Sequence, residues 1–561
     1  MRKFVVTSPG PARPGIRASS RSALRAEVCC FVGQRLDNAQ WRSGVPFGRK
    51  YLTPSRILAA ACTILIAAVV RAQAPPVLSE SYRAAEPAYL PDSARPAIHG
   101  PVVIGCSPGK AFSFRVPATG TAPLIFAASG LPAGLAIDAQ TGTIIGRASA
   151  AGTSTVALTV SNSQGRVTGS LRIICAESKI ALTPPMGWQA FGIYGDAVTD
   201  AQVRSAADNL VKSGLAAHGY QYVNLGDTWQ GARDAAGNLH PNRRFPDMKA
   251  LGDYLHSKGL KFGLYSAATT QTCSGFAGSE GHEAQDAKDF ADWGVDFLSY
   301  DWCPDAAGVS NISAASLQAK FAAMGDALRK TNRDIIFSVA AGKRDPEPAE
   351  WAVNARAQIF ELQGGLYDDQ KILRTFALVR SQYNDRVAPG YWNFLGPLYA
   401  GRIGFPKPHL TKLTSAEQMT QVSLWSLLSS PLMISCDLAH LDPNLLNHET
   451  TALLTNDEVL AVDQDPKGDP MTQIGPDYGH LIWKKTLSDG RIAVGIFNSN
   501  AVPERQSIRL ADLGLTGSQP VRDLWQRRDL PPMTDEFTAV VPPHGVVLIA
   551  VGRAGAAPAT P

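Results

Sequence analysis

Charge is scarce in this chain. Asp, Glu, Lys and Arg make up 18% of its 561 residues, against 45% hydrophobic ones. That balance excludes a disordered polyelectrolyte and fits a protein with large apolar cores. Histidine is scarcer still, ten in all, and no two are spaced as a His-x-x-x-His pair. With no zinc-type His/Cys spacing, no Gly-rich phosphate loop and no nucleophile-elbow serine, those chemistries find no support and no cofactor is expected. Gly-rich stretches such as "AGLAIDAQTGTIIG" belong to β-turns. The apolar run at residues 57–70 falls short of the about 20 residues a membrane helix needs, so no stable span is expected.

The few charges are unevenly placed. Residues 1–74 hold 12 Lys/Arg and 2 Asp/Glu, so a formal net charge of +5 leaves −5 for the rest. The basic excess belongs to one terminal segment, and no nucleic-acid surface is expected. Residues 1–74 read as a leader: Arg56, the apolar run, then Ala72-Gln73-Ala74 as a small-x-small cleavage pattern. Export to the periplasm or the outside follows. The long stretch ahead of the run is odd for a signal, which an upstream misassigned start explains; "LAAAC", ending at Cys62, sits too early for a lipoprotein box. Of eight cysteines, Cys29, Cys30 and Cys62 fall in the leader. Cys106, Cys175, Cys273, Cys303 and Cys436 remain, enough for two bridges and a free thiol.

A chain this long holds two to four domains. Residues 75–96, rich in Pro, Ala and Ser, look like a linker. Residues 97–178 alternate apolar and polar positions between Gly, Pro and Asn, as in "STVALTVSN" and "RVTGSLRIICA". That pattern predicts an Ig-like β-sandwich with Cys106 and Cys175 near its ends, placed to staple them. From 179 to 465 eight strand-like segments, among them "YQYVNLGDTW", "KFGLYSAA" and "VDFLSYDWC", alternate with amphipathic helical ones. The expected fold there is α/β, a (β/α)8 TIM barrel. Residues 466–552 return to strands and predict a C-terminal antiparallel β-sandwich; 553–561 read as a disordered tail.

One strand, "VDFLSYD", ends on a carboxylate, Asp301. It is either a reacting group in a pocket or an ordinary turn or helix-cap residue. Barrels of this kind carry their sites at the C-terminal ends of the strands, which favours the first.

"LTPPMGWQAFG", "FPDMKALGDYLHSKGLKFGLYS", "TCSGFAGSEGHEAQDAKDFADWGVDFLSYDWC" and "LLTNDEVLAVDQDPKG" resemble the α-galactosidase (melibiase) family, glycoside hydrolase family 27. The resemblance spans about 180–552, and the β module ahead of it is similar to Ig-like modules of some bacterial members. It implies a retaining glycosidase acting on a carbohydrate, with Asp301 of "SYDWC" as nucleophile and Cys273 paired with Cys303. It also implies sugar contacts from Trp188, Asp227, Tyr265 and Trp392. Trp188 and Tyr265 could equally be core residues.

Departures from the family pattern cluster around the implied sugar. The paired acids after strand two are Gly226-Asp227, and the Lys before the nucleophile is Ser299. The segment "FELQGG" puts Glu361 where the family has Arg, and Gly365 where it has the acid/base Asp. "WNFLGPL" puts Phe394 and Gly396 in place of two acids. Glu361 is the replacement acid/base candidate, with a strand-end polar residue as its bland alternative. Asp368 and Asp369 are weaker ones that read as the start of a helix. Two functions stay in view: a glycosidase of altered specificity, and a non-hydrolytic carbohydrate-binding protein on the same scaffold.

Overall fold

The structure is a computed structural model. It describes residues 81–555 apart from positions 84, 86, 88–89, 304–312, 341–351, 363–367, 369–385, 405–406, 442–447 and 475–481. Residues 1–74, read from the sequence as a leader, Gly365, Asp369 and the last six residues lie outside the described set. All described residues belong to one of two compact units, Val77–Pro561.

Eight parallel strands form the barrel: β1 (Met186–Gln189), β2 (Tyr222–Asn224), β3 (Lys261–Ala267), β4 (Val295–Asp301), β5 (Ile336–Ala340), β6 (Ile359–Glu361), β7 (Trp392–Phe394) and β8 (Leu432–Ile434). They pair in chain order, and β8 returns to β1. Just past β7, Leu398 bridges to Ile434 and donates its N–H to the Met433 carbonyl at 2.8 Å, which closes the seam. Helices between strands start on designed caps, such as Thr199 with Gln202 ahead of Asp200–Lys212 and Asp247 ahead of Met248–Ser257. The predicted (β/α)8 barrel with flanking β domains is therefore the observed fold.

Side chains alternate between two apolar environments. Trp188, Val223, Leu264, Leu298, Val339 and Phe360 point outward into the helix layer. Phe297, Ile336, Ile359, Phe394 and Met433 point inward with Ile180 and plug the bore. Two residues further along the same inner face the chemistry changes: Phe297 is followed by Ser299 and Asp301, Ile336 by Ser338, and Ile359 by Glu361. An apolar plug thus carries a polar floor at the C-terminal ends of β4, β5 and β6.

The Ig-like module packs a four-stranded sheet, Val103–Cys106, Gly165–Cys175, Gly152–Asn162 and Ile125–Ser129, against Phe112–Arg115, Thr143–Gly146 and Leu135–Ile137. Cys106 and Cys175 are register partners on parallel neighbours and form a disulfide. The module sits at the N-terminal ends of the barrel strands. Ser107 N–H donates to Asp334 Oδ2 at 2.7 Å, ahead of β5, and Gln221, ahead of β2, donates to the Arg115 carbonyl at 2.7 Å. It covers the end of the barrel opposite Asp301.

The C-terminal domain has a six-stranded sheet and a three-stranded one around its own core. One strand comes from elsewhere. Tyr82–Arg83, in the segment read as linker, pairs in parallel with Glu536–Val541. The Tyr82 ring packs on Phe537 and its hydroxyl bonds Asp523, so this short segment is anchored rather than a free spacer.

Candidate active site

Asp301 is the last residue of β4, and both its oxygens are engaged. Oδ1 accepts from Trp302 N–H at 2.8 Å, and Oδ2 accepts from the Tyr265 hydroxyl at 3.1 Å. Asp301 is not a helix cap: the next described helix, Ala314–Arg329, is capped by Ser313. Cys273 and Cys303 form a disulfide beside it, with Cys273 Sγ 3.6 Å from Oδ2 and Cys303 Sγ 3.5 Å from the Tyr265 hydroxyl. The bridge ties the loop after β3 to the carboxylate strand.

Asp227, just past β2, is buried and oriented by backbone. Its Oδ1 accepts from Thr228 N–H at 2.7 Å and its Oδ2 from Ser274 N–H at 3.0 Å. Ser274 follows the bridged Cys273, and its hydroxyl donates to Asp196 Oδ1 at 3.3 Å. The disulfide loop therefore positions Asp227 as well as Asp301. Thr228 has φ +78°, a strained conformation for a β-branched residue. Its carbonyl is clamped by Arg244 and by Asn242 Nδ2, the latter at 2.7 Å.

Glu361 ends β6. Its Oε1 accepts from Ser338 at 2.8 Å and from Ser299 at 3.1 Å. Asp301 pairs with Ala340, and Val339 pairs with Phe360. Glu361 is thus level with Asp301 two strands away, about 10 Å between their Cα atoms at ordinary strand spacing. Burial pushes the Glu361 carboxyl up, and the Ser338 and Ser299 hydroxyls pull partly the other way. Burial and then the charges of Asp301 and Asp227 push the Tyr265 phenol well above its ordinary value, so it stays a proton donor. The floor combines three carboxylates and a phenol: groups that can attack a carbon, exchange a proton and accept from sugar hydroxyls.

Two sugar-contact expectations are corrected. Trp188 faces the helix layer, where its indole N–H donates to the Cys436 carbonyl at 2.9 Å and its ring meets the edge of Tyr194. Trp392 begins β7 rather than ending it, and its indole donates to the Ala181 carbonyl at 2.7 Å, at the foot of the barrel. The strand's period of two turns Trp188 outward, whereas Trp392 shares the inward parity of Phe394 but sits one pleat lower, at the start of its strand. Asp368 is held by Thr411, His409 and the Lys412 N–H, away from the serine floor. Phe394 joins the apolar plug.

Sequence reading missed Ser338 and Ser274. Ser338 was findable as the polar residue one pleat above Ile336 in "IIFSVAA"; Ser274 had no signal beyond its place after Cys273. Phe191 was missed too: a Cβ on Gly226 would come 3.3 Å from the Phe191 Cβ, so this ring borders the room left by the absent carboxylate.

The chain has recognisable relatives. Residues 183–465 match the family model described as Alpha galactosidase A, and residues 477–551 match the alpha galactosidase C-terminal beta sandwich domain. Residues 96–175 match an Ig domain family. An alpha-galactosidase of Cyamopsis tetragonoloba is 36% identical over 382 residues, covering 67% of this chain and 87% of that protein. The structure of alpha-galactosidase I from Mortierella vinacea matches with a TM-score of 0.60 at 28% identity, over 68% of this chain and 100% of that one. A β-L-arabinopyranosidase from Geobacillus stearothermophilus gives 0.58 at 26%, over 67% and 97%.

The barrel and its kin define a glycoside hydrolase, whose substrates are carbohydrates. Within that class the chain belongs to the α-galactosidase (melibiase) family, glycoside hydrolase family 27.

Proposed function

We propose that this is an exported retaining glycosidase acting on a terminal α-galactosyl or stereochemically related residue. Asp301 attacks the anomeric carbon, and Glu361 protonates the leaving oxygen and then activates water. The observation that carries this is the setting of Asp301: an inward carboxylate at a strand's C-terminal end, aimed by Tyr265 and Trp302. A nucleophile needs that orientation, and the phenol can follow the charge as it leaves the carboxylate. Glu361 suits the acid's role because burial favours its protonated form. Asp227 is the acceptor for sugar hydroxyls.

The sugar is expected to differ from a plain galactoside. Ser299 and Glu361 replace two cations of the family pattern, and Gly226 removes a hydroxyl acceptor. A pocket that cannot pair a hydroxyl discriminates strongly against the substrate carrying it. Export is supported by two disulfides. No helix among the described residues is long and apolar enough to cross a membrane.

One observation favours a second reading. Glu361 is tied down to Ser299 and Ser338, as a structural residue would be. The barrel would then bind carbohydrate without cleaving it. The test is a panel of aryl α-galactoside, N-acetylgalactosaminide, L-arabinopyranoside and glucoside, with 2-fluoro glycosyl fluorides as covalent traps. Turnover lost in Asp301→Asn, with a glycosyl adduct on Asp301 by peptide mass, supports the enzyme. Sugar binding by calorimetry with neither turnover nor adduct supports the binding protein.

A further inference from the structure

A second cluster of ligating side chains lies at the N-terminal side of the barrel, where three segments converge. His99 comes from the Ig-like module, His218 from the loop before β2, and Asp457 begins the short helix Asp457–Asp463. His99 Nδ1 lies 3.1 Å from Asp457 Oδ2, and His218 Nδ1 lies 2.8 Å from Oδ1. One ligand atom from each of the three lies within 4.8 Å of the others, and the imidazole centroids are 4.8 Å apart.

The far nitrogens are also engaged. His99 Nε2 is 2.8 Å from Thr119 Oγ1, and His218 Nε2 is 3.4 Å from Asp92 Oδ1. Oxygen partners on the outer nitrogens orient metal-binding imidazoles, and a proton held on each outer nitrogen would leave both Nδ1 lone pairs facing inward. In that arrangement a cation between the two Nδ1 atoms and the Asp457 carboxylate would satisfy all three groups at once. A cavity of about 480 Å³, lined in part by His218, Asp457, Asp489 and Arg522, opens on the cluster and has room for a water ligand.

We propose that His99, His218 and Asp457 form a divalent transition-metal site of zinc type, completed by water from that cavity. Two imidazole nitrogens and one carboxylate oxygen are a borderline donor set that suits zinc; magnesium and calcium take oxygen sets. The metal would bind the Ig-like module to the barrel and to the helix leading into the C-terminal domain. It would stand at the other end of the barrel from Asp301 and act on stability rather than on the reaction.

The rival occupant is a proton, with His218 as an imidazolium between Asp457 and Asp92. The full chain, stripped with a chelator, is titrated with zinc by calorimetry and melted with and without zinc. Expected are one zinc per chain, a raised melting temperature, and a four-coordinate d–d absorption when cobalt(II) replaces zinc. His99→Gln and Asp457→Asn should each weaken zinc by about 100-fold or more, and Thr119→Val, which removes the outer oxygen, by about 10-fold. If Asp457→Asn does not fold, His99→Gln and Thr119→Val carry the test. No zinc uptake and an unchanged melting temperature would overturn the site in favour of the proton. Equal zinc affinity in His99→Gln and wild type would place any bound metal elsewhere and overturn it as well.

Discussion

Tyr265 reaches Asp301 from the neighbouring strand, its hydroxyl 3.1 Å from Oδ2, although its register partner is Ser299. The phenol crosses one pleat to do so. It also lies 3.5 Å from Cys303 Sγ, so carboxylate, phenol and disulfide form one unit.

Removing that phenol should hurt the reaction more than the fold. Tyr265→Phe deletes a hydrogen bond to a charged group, worth about 1.5–3 kcal/mol, or roughly 10- to 100-fold in kcat/KM. The melting temperature should change little. Steady-state kinetics on the best aryl glycoside beside a thermal melt checks both.

Glu361 predicts opposite effects on activity and stability. Its folded-state carboxyl is shifted up by burial, so it acts as an acid only below that raised value. Activity on a substrate with a poor leaving group should fall as pH rises through it, and Glu361→Gln should abolish that activity. For stability, a raised carboxyl penalises the folded state once pH exceeds the unfolded value of about 4.3. Glu361→Gln keeps an acceptor for both serines, so it should melt with wild type at acid pH and above it at neutral pH. Melting curves across that range, with a neutral or inverted difference at pH 7, would discard the buried-acid assignment.

Asp296 gives the reverse sign. It is buried at the start of β4, where it accepts from Arg333 at 2.6 Å, Phe262 N–H at 2.9 Å and His256 at 2.8 Å. Burial pushes its carboxyl up, but Arg333, Lys261 and His256 outweigh that and hold it well below the usual range. Its stabilisation is therefore full above the unfolded value of about 3.9 and lost as pH falls through the depressed folded value. Asp296→Asn should cost about 3–5 kcal/mol at neutral pH by stranding Arg333, and the gap to wild type should close in strong acid. Urea midpoints against pH measure this.

The disulfide beside the nucleophile should matter to stability and rate together. It closes a loop with a sequence separation of 30, for which chain entropy gives about 3.5 kcal/mol. Cys273→Ser with Cys303→Ser should lower the melting temperature. It should also raise KM, because Ser274 N–H would no longer be held on Asp227. An unchanged KM would mean that the loop keeps its place without the bridge.

The N-terminal strand offers a test far from the site. Deleting residues through Arg83 uncovers Glu536–Val541 as a sheet edge and removes the Tyr82 ring from Phe537. Unfolding of the C-terminal domain should shift to lower denaturant while sugar binding persists. Hydrogen exchange in Glu536–Val541 should rise.

Much was legible because it depends on local pattern. Alternating βα segments announced the barrel, the position of Asp301 after "VDFLSY" placed it at a strand end, and the five cysteines beyond residue 74 left room for two bridges. Partners at long range were not legible: Ser338 on Glu361, Ser274 on Asp227 and Tyr82 on Asp523 are brought together by topology rather than spacing.

By itself the sequence determined the class of fold, the order of its elements and the carboxylate that ends β4. Tertiary structure decided which way side chains face. Barrel strands are covered by helices outside and a plug inside, so both faces are apolar and alternation is hidden. Trp188 and Trp392 looked like sugar contacts until packing turned one into the helix layer and left the other at the barrel's foot. The same period of two put Ser299, Ser338, Asp301 and Glu361 on one inner face. There desolvation changes what a carboxyl can do.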